Sequence, residues 1–272
     1  RRDRAAAARS RRQPADRREP EVIEFVFMLT HHDRTIEDPL AVYAEIRNCG
    51  LRYIGFKDIG ATAAELTEVS AAAQADGLEV MLEVVSTTKA DELSSIAAAA
   101  GIGVDWVLGG THARDGLRVL DGSAARYCPF PGTVVDHPSV LLGEIAEIAA
   151  SARELTALDG VYGLDLLAYR HPTADVAELT RAVVQAASGP VIAAGSVTTV
   201  AQIRTLEAAG AWGFTIGSAI FERRLPGGPS VSGQISHVLR AIADQAAGGD
   251  AGAGAGHPEG DDDGSADRIA AG

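Results

Sequence analysis

Eight short apolar runs recur along the chain, at residues 22–29, 53–56, 79–85, 106–108, 126–130, 163–167, 191–194 and 213–216. Each is too short for a helix and suits a strand buried on both faces. Amphipathic stretches separate most of them, at 39–49, 63–75, 90–100, 141–158, 175–187, 200–209 and 231–245. Asp38, Thr62, Thr88 and Thr199 stand where N-caps are needed, because their side-chain oxygens can accept from the first free N–H groups. Gly50, Gly77, Gly101 and Gly210 stand where helices should stop. Between the fourth and fifth runs the helical pattern is incomplete, and a short turn is expected. Eight strands in a βα rhythm predict an α/β fold, a closed parallel (β/α)8 TIM barrel. The alternative, an open doubly wound sheet, usually carries a glycine-rich loop after its first strand. Here that strand ends in Thr30-His31-His32-Asp33, without glycine.

A length of 272 residues and an apolar fraction of 46% suit one such barrel. Charge sets its limits. Residues 1–20 carry a net +5 and residues 246–272 a net −5, so the segment between them holds the full −13. Both ends lack apolar periodicity and are expected to be disordered tails flanking a barrel of residues 21–245. An acidic body is a poor match for nucleic acid, which needs clustered Lys and Arg. The Arg-rich start has no apolar core of a secretory signal. No run reaches the ~18 residues of a membrane span. The two cysteines, Cys49 and Cys128, have no metal-ligand spacing and read as reduced thiols, so a cytoplasmic location is expected.

Segment 190–221, PVIAAGSVTTVAQIRTLEAAGAWGFTIGSAIF, is the most informative stretch. One strand ends at Gly195-Ser196, a helix follows, and the last strand ends at Gly217-Ser218 before a new helical start. Loops after the seventh and eighth strands of barrels often bind phosphate, where glycine admits the anion to free N–H groups. The plainer alternative is that these glycines only make tight turns. Through Ala194-Gly195-Ser196 and Ile216-Gly217-Ser218-Ala219-Ile220, the segment resembles the ribulose-phosphate-binding barrel superfamily. That group includes sugar-phosphate epimerases, isomerases, aldolases and decarboxylases. The resemblance covers about the last quarter of the folded region and implies a phosphate site at Gly195, Ser196, Gly217 and Ser218.

Three charged residues sit inside apolar strands. In 53–58, Ile54 and Phe56 should face the helices, which turns Tyr53, Gly55 and Lys57 toward the barrel axis. Lys57 then lies at the mouth, unless it snorkels into solvent. Glu83 shares a face with Met81 and is the natural partner for Lys57 on the neighbouring strand, since a buried carboxylate needs one. The plainer alternative is a structural Lys57–Glu83 pair. Asp165 is a lone acid in 163–167, followed at the rim by Tyr169, Arg170 and His171. Thr30, His31, His32 and Asp33 offer donors and a base at the first strand's end, and His112 occupies the mouth after the fourth. Adjacent histidines at a strand end seldom chelate one ion, so no metal and no cofactor are expected.

These positions depart from the superfamily's known members. The isomerases carry an Asp or Cys base on the first strand, where this chain has Thr30 and His31. The decarboxylases place Asp two before and three after their Lys, where this chain has Gly55 and Gly60. Schiff-base aldolases usually carry their Lys on a later strand. The expectation is therefore broad: an isomerase, epimerase or lyase acting on a small phosphorylated sugar or keto acid. Lys57, Glu83 and Asp165 are its catalytic groups, with Asp165 orienting Lys57 or the substrate, and His31, His112, Tyr169 and Arg170 bind substrate. Two alternatives stand beside it, a class I aldolase with a Lys57 Schiff base and a non-catalytic phosphometabolite-binding barrel. The sequence leaves the substrate open, and homo-oligomerisation is compatible with each reading.

Overall fold

Eight parallel strands form one sheet: β1 (Glu24–Met28), β2 (Tyr53–Lys57), β3 (Glu79–Val84), β4 (Trp106–Gly109), β5 (Arg126–Cys128), β6 (Leu164–Leu166), β7 (Val191–Ala193) and β8 (Gly213–Ile216). The computed structural model describes residues 22–250, and the expected tails, 1–20 and the part of 246–272 beyond Asp250, lie outside them. The strand order is β6-β7-β8-β1-β2-β3-β4-β5. The two edge strands are drawn together where Tyr162 N donates to Tyr127 O (2.8 Å) and Asp165 N donates to Pro129 O (3.1 Å). That nearly closed ring rules out the open sheet.

Period-two alternation decides what fills the barrel. Ile54 and Phe56 pack outward with Phe25, Phe27, Val80 and Leu82 against the helices, while Val26, Met28, Tyr53, Met81, Trp106, Leu108, Cys128 and Ile192 form a separate inner cluster. At the N-terminal end of the strands this inner cluster is aromatic. Trp106 lies edge-on to Tyr162 at 5.0 Å and tilted on Trp212 at 5.4 Å, and Tyr53 meets Trp212 edge-on at 5.4 Å. Such ring pairs each add about 0.5–1.5 kcal/mol beyond area burial. The Arg126 guanidinium covers the Trp106 face at 4.7 Å and pairs with Glu79, which also accepts from Trp106 Nε1.

The helices are α1 (Pro39–Ile46), α2 (Ala63–Ala75), α3 (Lys89–Ile102), α4 (Ala113–Val119), α5 (Ile145–Thr156), α6 (Val176–Ala186), α7 (Val200–Ala208), α8 (Ser218–Phe221) and α9 (Val231–Asp250). All four expected N-caps accept from their helix, Asp38 from Ala41 N, Thr62 from Glu65 N, Thr88 from Asp91 N and Thr199 from Gln202 N. Asp175 caps α6 in the same way.

Three local expectations are corrected. The β4–β5 link holds α4, two turns of helix rather than a short turn. Gly116, whose Cβ would lie 2.9 Å from the Tyr127 hydroxyl, lets α4 sit close on β5 but weakens its apolar pattern. The stretch 141–158 is not one helix. Its start forms an antiparallel hairpin of Thr133–Val135 with Val140–Leu142, and α5 begins only after Gly143. Finally, Gly101 lies inside α3, and the left-handed stop is Gly103 at φ 82°.

Candidate functional site at the strand C-termini

β1 runs into a two-residue hairpin. Thr30–His31 pairs antiparallel with Arg34–Thr35, and the turn residues His32 and Asp33 both have positive φ, 48° and 62°. Two left-handed residues are what a type I′ turn requires, and Asp tolerates that region better than most. Thr35 stitches the hairpin to β2: its Oγ1 donates to Lys57 O at 2.8 Å and accepts from Lys57 N at 2.9 Å. The turn thereby delivers the Asp33 carboxylate to the barrel mouth.

Lys57 is only 3% exposed, so it does not snorkel into solvent. Its Nζ lies 2.5 Å from Asp33 Oδ1 and 3.3 Å from Glu83 Oε1. Glu83 stands directly opposite it in the β2–β3 register. Arg170, on the single turn of tight helix after β6, closes the other side of Asp33, with Nη2 to Oδ1 at 2.6 Å and Nη1 to Oδ2 at 3.1 Å. Burial alone would raise the Asp33 carboxyl. The hydrogen bonds and charges of Arg170 and Lys57 outweigh it and hold the group well below the usual carboxylate range. Arg170 Nη1 also donates to Ser139 O at 3.3 Å, which ties the hairpin after β5 over the mouth.

Asp165 is fully buried on the inner face of β6, and among the described residues neither of its oxygens has a hydrogen-bond partner. Burial, reinforced by the charge of Glu83, pushes its carboxyl well above the ordinary range against the pull of Lys57 and Arg170. Lys57 is held directly by Asp33 and Glu83. The unfolded group ionises near pH 4, whereas the folded group keeps its proton well above that. Folding thus takes up a proton over this interval, and Asp165 costs stability increasingly as pH rises toward its folded pKa. Asp165→Asn removes that titration. It is expected to flatten the fall in stability that Asp165 causes as pH rises from about 4 upward. Urea midpoints across that range check this, and parallel profiles for the two proteins would refute it.

A cleft of about 660 Å³ opens above Lys57 and Glu83. Gly195, Ser196, Gly217 and Ser218 form one wall, with Tyr169 and Arg170 beside them and Arg224 at the rim. The structure thus brings together eight of the eleven residues singled out from the sequence. Asp165 lies beneath the cleft. His31 sits at its edge, 3.5 Å from Glu222. His112 is apart from it, at the start of α4, where its Nδ1 meets the buried Glu92 at 2.8 Å beside a separate hollow. Tyr169 donates its hydroxyl to Gln202 O at 3.2 Å.

The wall glycines have structural duties. Gly195 has φ 77°, and a Cβ there would lie 2.2 Å from Arg170 Nε. A Cβ on Gly217 would lie 2.2 Å from Thr30 Oγ1 and 2.7 Å from Thr30 O. Gly195 makes room for the guanidinium that holds Asp33, and Gly217 for the end of β1. Asp33 itself stood out in the sequence only as one member of His-His-Asp. The period-two rule that placed Lys57 and Glu83 does not reach into a turn.

No family model matches the chain. No curated protein matches it either. Solved structures do. A native KDPGal structure shares 17% identity at a TM-score of 0.57, over 82% of this chain and 96% of its own. Orotidine 5′-phosphate decarboxylase from Pyrococcus horikoshii OT3 shares 12% at 0.57, over 80% and 99%. The N-acetylmannosamine-6-phosphate 2-epimerase from Clostridium perfringens shares 11% at 0.55, over 79% and 93%. The likeness is one of fold, the parallel β/α barrel. Among the described residues no helix is long and apolar enough to cross a membrane.

Proposed function

We propose that this protein is an isomerase, epimerase or lyase that moves a proton next to a carbonyl of a small phosphorylated sugar or keto acid. The observation that carries this reading is Lys57, buried between two carboxylates at the floor of an open cleft. A lysine is costly in such a place unless it is paired, and barrel enzymes hold their reactive groups at this end of the strands. Asp33, kept ionised by Arg170, fixes Lys57 in one position. Glu83 is the carboxylate free of Arg170 and serves as the base. The ammonium of Lys57 stabilises the enediolate as its charge develops. Asp165, protonated below them, raises no further negative charge under that intermediate.

The phosphate is assigned to the wall after β7 and β8. Ser218 Oγ already accepts from His32 N at 3.1 Å, which leaves its own hydrogen to donate to an anion. Ser196, in the left-handed region at φ 61°, lines the same wall. Arg224 supplies a cation at the rim. The structural likeness to a decarboxylase and an epimerase whose names include phosphorylated ligands supports this class of substrate.

The Nζ of Lys57 is engaged by two carboxylates within 3.3 Å, whereas a Schiff base needs an unengaged amine. Borohydride added with turning-over substrate is therefore expected to leave Lys57 unmodified and the enzyme active. The first experiment is a thermal-shift screen of phosphorylated sugars and keto acids, each beside its phosphate-free counterpart, followed by turnover assays of the hits. Stabilisation by phosphorylated compounds with turnover supports the proposal. Stabilisation without turnover of any hit points to the non-catalytic binding barrel, and borohydride trapping on Lys57 to the aldolase.

A further inference from the structure

The hairpin after β1 and the short helix α8 bring His31, His32 and Glu222 together. One ligand atom from each lies within 4.8 Å of the other two. In an extended strand, neighbouring side chains point to opposite faces. Here His32 is left-handed, at φ 48°, and its ring lies on that of His31 at a centroid distance of 3.8 Å. The two carrying elements are tied to each other. His32 N donates to Ser218 Oγ, and the His31 ring packs on Phe221 at 6.2 Å. Glu222 is held by Arg224, 3.8 Å from its second oxygen.

From this geometry we infer that His31, His32 and Glu222 form a binding site for a divalent transition-metal ion at the rim of the cleft. His31 Nε2 and Glu222 Oε1 are 3.5 Å apart. That is long for a charge-assisted hydrogen bond, which runs about 2.7–2.9 Å. It matches the edge of a tetrahedron with 2.0–2.1 Å bonds, about 3.3–3.4 Å. Two imidazoles and one carboxylate suit Zn²⁺ first, with Co²⁺ as its spectroscopic substitute. Three protein ligands leave a position open, as in sites that bind a water or a substrate oxygen. His32, Glu222 and Ser218 all line the cleft, so that position faces the same space as the wall assigned to phosphate. A metal here would hold an anionic oxygen of the ligand and stand apart from the Lys57 centre. The inference does not rest on the proposed reaction, because metal binding is measured without substrate.

The test is titration of the full-length protein with Co²⁺, read by its visible absorption, followed by displacement with Zn²⁺. The expected result is one saturable equivalent with the intense bands of four- or five-coordination, lost on adding one equivalent of Zn²⁺. Glu222→Gln and His32→Asn should each weaken binding at least about tenfold. Asn tolerates the left-handed turn, so the second variant keeps the hairpin. Circular dichroism verifies that both fold. Bands that persist unchanged in both variants would place the cation elsewhere, for instance on His257 and the acidic run Asp261-Asp262-Asp263, and overturn the inference. So would the absence of saturable binding to the parent protein.

Discussion

Lys57→Met is expected to lower kcat by about 10²–10⁴ on whichever phosphorylated substrate is turned over, the usual contribution of a positioned acid–base group. Substrate affinity should change little, because the phosphate wall belongs to other strands. Stability should hold or rise slightly. Methionine fills much of the lysine's volume, and a buried ion pair is often no better than apolar packing. Asp33 keeps Arg170 as its partner, so its charge stays compensated. Glu83 loses its cation but lines the open cleft. Steady-state kinetics together with urea midpoints separate the roles. If Lys57 is only structural, turnover persists and the midpoint falls, and that pattern would remove both the proton-transfer and the Schiff-base mechanisms.

Gly217→Asp should destabilise the fold by about 3 kcal/mol or more, as well as abolish phosphate-ligand binding. From the sequence alone, the same change looks like a local block of an anion site in an intact barrel. The contact with Thr30 alters that expectation. A Cβ 2.2 Å from Oγ1 and 2.7 Å from the carbonyl oxygen cannot be relieved by turning a side chain, since part of the obstacle is backbone. The end of β1 must move, and the hairpin carrying Asp33 moves with it. Gly217→Ala isolates this effect: it adds the Cβ without charge and should cost about 1–3 kcal/mol. An unchanged denaturation midpoint for Gly217→Ala would show that β1 adjusts freely, and the glycine would then be required for the ligand alone.

The barrel was legible because its pattern is strong at every strand. Apolar runs, caps and the inward face of 53–57 follow from local rules, and the placement of Lys57 opposite Glu83 follows from counting by twos. Those rules weaken where chain geometry is set by contacts far apart in sequence. Asp33 reaches Lys57 through a left-handed turn, and Arg170 reaches Asp33 across 137 positions. The end of the 133–142 hairpin reads as the start of a helix because Leu141 and Leu142 continue the apolar pattern of α5. His112 shares a mouth-like position after β4 with the residues that line the cleft, but Glu92 of α3 draws it outward. The wall glycines show the same limit. Their identity is visible in sequence, whereas the partner that each accommodates is not.

The aromatic plug at the opposite end of the barrel also shapes how protons travel. Tyr53, Trp106, Tyr162 and Trp212 stopper the strand N-termini, with Arg126 and Glu79 capping them. Asp165 is enclosed above that stopper and below Lys57 and Glu83. Between these two layers neither oxygen of Asp165 has a hydrogen-bond partner among the described residues through which to pass its proton on. A ligand seated in the cleft would add a further layer between this buried acid and bulk water for as long as it stays bound.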